Sequence, residues 1–100
     1  MAEPESPAIA PDETTRTEPV ESHDSGWTVV VWNDPVNYME FVTHVFMKIF
    51  AWPRPKAEKH MLEVHEKGRS VVARAGFEKA ELYVHQLQGY SLHATLEKAG

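Results

Sequence analysis

One hundred residues with a formal net charge of −5 and no cysteine form at most one small domain, without disulfides, a thiol nucleophile or a zinc–thiolate site. No apolar run approaches the ~20 residues a membrane span requires, and the N-terminus lacks a basic-then-apolar signal pattern, so the expectation is a cytoplasmic protein. The charge is unevenly placed. Residues 1–25 hold seven acids and one base, Arg16, a local charge of −6 that leaves about +1 for the remainder.

That first segment also carries four prolines and no Phe, Tyr or Trp. It lacks the apolar surface needed to offset chain entropy, which predicts a disordered acidic extension over 1–25 and a folded unit over 26–100. The folded part shows no basic stripe of the kind nucleic-acid binding demands.

Trp27 to Trp32 (WTVVVW) is β-prone and reads as a strand. From Met39, apolar residues recur at Val42, Val45, Phe46, Ile49 and Phe50, one face of a helix that ends before Pro53. Asn37 and Glu40 have capping-box spacing, so Asn37 is the expected helix cap. Pro55 suits the first position of a second helix with Ala57, Met61, Val64 and His65 on its buried side, closed by Gly68 as a left-handed cap. Arg69 to Ala75 is again β-prone. Phe77 to Gln88 has helical spacing up to a stop at Gly89, and Leu92, Ala94 and Leu96 alternate as one dry face of a last strand. The order β-α-α-β-α-β predicts an α+β fold: a compact two-layer sandwich of three helices on a three-stranded antiparallel sheet.

Catalytic signatures are weak. In HMLEVHEKG, His60 and His65 stand five apart, roughly 140° around a helix, whereas a metalloprotease helix sets its histidines four apart. Ser70 and Ser91 fall in predicted strands without the glycines of a nucleophile elbow. Neither a metal site, a cofactor nor an enzyme activity is expected. Taken one residue at a time, Asn33-Asp34-Pro35 reads as turn chemistry, Met39 and Met61 as core filler, and His65 as a core histidine.

Three separated stretches, NDPVNYMEFV, MLEVHEKG and LHATLEKA, together resemble the ClpS family, adaptors that deliver N-degron substrates to Clp-family AAA+ proteases. The resemblance spans residues 27–99 in order, with two departures: Pro35 for a second aspartate and Asn37 for a threonine. It implies that Asn33, Asp34 and His65 receive a free α-amine. It further implies that Met39, Val42, Met61, Val64 and Leu92 form an apolar pocket for a bulky first side chain, with Met61 crowding its mouth. The implied partners are N-degron peptides or proteins and the N-terminal domain of a Clp unfoldase of ClpC or ClpA type, docked near Glu78 and Glu81. The alternative is a general interaction module of ribosomal-stalk-like fold with no amine recognition.

Overall fold

The structure, a computed structural model, describes residues 26–99. The extension expected over 1–25 lies outside the described residues. Six elements follow in chain order: β1 (Trp27–Trp32), α1 (Met39–Phe50), α2 (Arg54–Lys67), β2 (Arg69–Ala75), α3 (Phe77–Gly89) and β3 (His93–Lys98). This is the order and class expected from the periodicities.

The sheet is antiparallel with β1 in the centre, in the order β2-β1-β3. Trp27 pairs with both Ala75 and Lys98, and Trp32 with both Arg69 and His93. A bulge opposite Val29 and Val30 makes Val72 the extra residue on β2. Helices α2 and α3 lie against the sheet, while α1 packs chiefly on α2. Val29, Val31, Val45, Phe46, Val72, Ala80 and Leu87 are fully buried between the layers.

The open face of the sheet stiffens the end of β1. Trp32 Nε1 donates to Thr95 Oγ1 at 2.8 Å, and the Arg69 guanidinium lies over the Trp32 ring at 4.8 Å while pairing with Glu97 at 3.0 Å. The last β1 residue is thereby held from both neighbouring strands.

At the other end of α1, an aromatic cluster ties the helices together. Phe50 stacks on Trp52 at 4.7 Å, Phe46 meets Trp52 edge-on at 5.9 Å, and Tyr83 of α3 approaches Phe50 at 5.0 Å. Trp52 also stacks on His60 at 4.6 Å. The core histidine is therefore His60, 5% exposed, and not His65, which is exposed. His60 Nδ1 stands 2.8 Å from Ser70 Oγ, whose hydroxyl donates to Glu63 Oε1 at 2.6 Å. Ser70 is buried and its hydroxyl donates to the carboxylate, so the trio links α2 to β2.

Burial lifts the Tyr83 hydroxyl above the ordinary tyrosine value. Below about pH 10 the side chain is neutral in both states and its stabilising contribution is intact. As pH rises further the unfolded chain ionises first, so stability is lost as pH climbs through the raised folded value. Urea melts between about pH 8 and 11 should show a steeper loss for wild type than for Tyr83→Phe. Identical profiles would place the alkaline loss elsewhere.

Three helix ends depart from expectation. Tyr38, not Asn37, is the N-cap of α1, and no side chain caps that end. Asn37 is instead engaged as a donor: its Nδ2 bonds the Ser91 carbonyl at 2.9 Å. An asparagine amide can give as well as accept, and here a longer-range acceptor wins. Helix α2 starts at Arg54, so Pro55 is its second residue. Gly68 does close α2 in the left-handed region, φ 90°, with its N–H on the Val64 carbonyl.

Helix α3 runs through Gly89, and the left-handed residue is Ser91, φ 67°. Ser91 N–H bonds Gln88 O at 2.8 Å and Leu92 N–H bonds Leu87 O at 3.1 Å, the paired bonds of a Schellman motif. Leu92 precedes β3 and turns inward with Leu87, both in the core. Ser91 thus lies in a turn and not in a strand.

Candidate functional site

β1 ends at Trp32, and the next residue still belongs to the sheet's order: Asn33 N–H bonds the Gly68 carbonyl at 2.9 Å. Asp34 to Asn37 then form a β-turn closed by Asn37 N–H on Asp34 O at 3.0 Å, with Pro35 at the second position, where its fixed φ is favoured. Asp34 Oδ1 accepts from Val36 N–H at 2.9 Å, an Asx turn inside the β-turn. Pro35 has no N–H of its own, so the turn leaves no donor to compete for the carboxylate at that residue.

Behind this turn lies a pocket of about 440 Å³. Its walls are the turn, the first turns of α1, the C-terminal half of α2, and Leu92. Asn33, Asp34 and His65 line it together with Met39, Val42, Met61, Val64 and Leu92; the fold thus gathers all eight residues around one cavity. Val31, Trp32, Pro35, Asn37 and Tyr38 complete the lining. Asn37, through its bond to Ser91, ties the β1–α1 turn to the α3–β3 turn and so joins two walls.

The chemistry of the lining is one-sided. It holds one carboxylate, the amides of Asn33 and Asn37, and an imidazole, and no lysine or arginine. Among the described residues, Asp34 Oδ2, the Asn33 side chain and the His65 ring make no hydrogen bond with the protein. Acceptor capacity therefore faces an otherwise apolar cavity, an arrangement suited to a compact cationic donor joined to an apolar group.

The two methionines differ from the expectation. Met61, on the buried side of α2, is 9% exposed and sits in the core cluster, so it forms floor and not mouth. Met39 opens α1, where no preceding turn can cover it, and is 40% exposed. The residue at the mouth is Met39. Glu78 and Glu81 lie in the first turns of α3, outside the pocket lining.

Sequence periodicity gave no sign of Tyr38 or Trp32 as pocket residues. Trp32 read as the end of a strand, and Tyr38 stands one residue before the helical period begins. The only available signal was adjacency to Asn33 and Met39.

A family model described as "ATP-dependent Clp protease adaptor protein ClpS" matches residues 22–96. The chain belongs to the ClpS family. It is 39% identical over 99 residues to the ClpS adapter protein of Rhodococcus jostii, covering 99% of this chain and 88% of that one. Against the ClpS adapter protein of Mycobacterium tuberculosis it is 42% identical over 80 residues, 80% of this chain and 79% of that one. Among solved structures, Agrobacterium tumefaciens ClpS2 bound to L-phenylalaninamide superposes with a TM-score of 0.67 at 25% identity, covering 73% of this chain and 95% of that one. ClpS is a family of adaptors of the Clp protease, and among the described residues no helix is long and apolar enough to cross a membrane.

Proposed function

We propose that the pocket receives the free α-amine and the bulky apolar first side chain of N-degron substrates, and that this ClpS-family domain hands them to a Clp AAA+ unfoldase. The observation that carries this reading is the meeting of Asn33, Asp34 and His65, with acceptor capacity to spare, over an apolar cavity without a competing cation. The ligand of the Agrobacterium relative, L-phenylalaninamide, joins a free amine to an aromatic side chain, the same two features.

A protein N-terminus ordinarily titrates at about 7.7–8.0 and is mostly a three-donor cation near neutrality. Asn33 Oδ1, the Asp34 carboxylate and a ring nitrogen of His65 would accept hydrogen bonds from its three N–H groups. Filling the cavity with Leu, Phe, Tyr or Trp contributes about 1.5–3 kcal/mol, and each charge-assisted bond a similar amount before desolvation and association entropy are deducted. The resulting affinity is on the order of micromolar, tight enough to capture a substrate and weak enough to release it. The partner is assigned as the N-terminal domain of a ClpC- or ClpA-type unfoldase, docking at the start of α3 by Glu78 and Glu81.

Fluorescence-anisotropy titration of Leu-initiated and Gly-initiated peptides, otherwise identical, tests the binding half of this reading. The Leu peptide should bind at least about ten-fold more tightly, since glycine leaves the cavity unfilled. Equal binding would remove the pocket from the function.

Met39→Ala should admit Ile- and Val-initiated peptides, improving their affinity by about ten-fold, because a β-branched carbon no longer meets the side chain at the mouth. A variant that loses Leu binding and gains neither would return Met39 to a packing role. Met61→Ala should differ in kind, lowering stability by about 2–5 kcal/mol as a core cavity forms.

A further inference from the structure

The Tyr38 carbonyl accepts from Val42 N–H at 3.1 Å, but the Tyr38 side chain makes no polar or aromatic contact among the described residues. The residue is the N-cap of α1 without a side-chain capping bond. Its side chain is 83% exposed while bordering the pocket. Val36, at the third position of the turn, is 81% exposed, where a polar residue or glycine is the ordinary occupant. Between them Asn37 is pinned to Ser91 at 2.9 Å, so both apolar side chains are presented from a braced segment and not from a loose loop. Of the two only Tyr38 lines the cavity, and a large ring presented to water at its lip has the character of a binding surface.

Given the amine-and-side-chain reading proposed above, on which this step rests, the direction of the bound chain follows. The amine is held at Asn33, Asp34 and His65 and the first side chain points to the cavity floor, so the backbone must leave through the mouth. The next residue begins within ~3.8 Å of the first Cα, at the lip. We infer that Tyr38 forms a contact surface for the second residue of the substrate, so that this protein reads two positions and favours a large apolar or aromatic residue at the second. An aromatic side chain against the Tyr38 ring supplies offset or edge contact in addition to area burial.

Four peptides identical after the second position test this: Leu-Phe and Leu-Gly, each with a free or an acetylated amine, titrated against wild type, Tyr38→Phe and Tyr38→Ala. Leu-Phe should bind about five-fold more tightly than Leu-Gly to wild type and to Tyr38→Phe, and the ratio should fall to about one in Tyr38→Ala. A wild-type ratio near one overturns the inference, and so does a ratio that survives in Tyr38→Ala, including the case where both peptides weaken equally. Acetylated peptides that bind as well as free ones would defeat the amine-receptor reading itself, a result separate from the ratio.

Discussion

A Leu-initiated peptide is expected to bind about a hundred-fold or more weakly once its α-amine is acetylated. Acetylation removes the charge and leaves one N–H where there were three, while the apolar side chain is untouched. The acceptors lining the pocket then keep their desolvation cost without their partner. Losing two charge-assisted bonds at about 1.5–3 kcal/mol each gives the stated factor at tenfold per 1.4 kcal/mol. Asp34→Asn is the matching change on the protein. It keeps an Oδ1 acceptor for Val36 N–H, so the Asx turn survives, but it discharges the only carboxylate of the lining. Its expected loss is smaller, about ten-fold. Paired isothermal titrations measure both, and acetylated peptide binding within a few-fold of the free form would leave only a plain apolar groove.

Phe46→Ala should lower stability by about 3–5 kcal/mol and Tm by on the order of 20 °C. Phe46 is fully buried and lies beside both Phe50 and Trp52, the rings through which α1 meets the start of α2 and, by way of Tyr83, α3. The helix pair that flanks the pocket is braced at its far end by this cluster. A folded unit of this size has about 4–11 kcal/mol in all, so the variant should be partly unfolded at 37 °C. Thermal melts followed by tryptophan fluorescence, with peptide affinity measured on the folded protein at low temperature, separate stability from binding. A loss below about 1 kcal/mol would mean that the cluster is not what holds the helices.

The elements were legible because β1 and β2 are runs of β-prone residues, and in α1 Val42, Val45 and Phe46 recur at helical spacing. Polar side chains were not, since their position depends on partners far along the chain. His60 is buried because Ser70, ten residues on, and Trp52 give it a place; the helical pattern pointed to His65 instead. Asn37 looked like a cap until Ser91, fifty-four residues away, offered a carbonyl. Gly89 looked like a stop because glycine accepts φ > 0 most readily, yet Ser91 takes that conformation where Leu92 must turn inward beside Leu87. The pocket residues were named by family resemblance and not by periodicity. What the fold adds is their exposure, which moves the mouth from Met61 to Met39 and brings out Tyr38.

The central place of β1 also governs when the domain can come into being during synthesis. Of the six described elements β1 is made first and finds one neighbour in β2, but its second, β3, is the last of the six, with Trp27 waiting for Lys98 and Trp32 for His93. Leu92, which closes the pocket, belongs to the same late stretch. Pairings so distant in sequence form slowly and only after the intervening chain is available. A nascent copy therefore carries the Asn33–Asp34 turn before Leu92 and β3 are made, and the pocket is completed only with the last of the six elements.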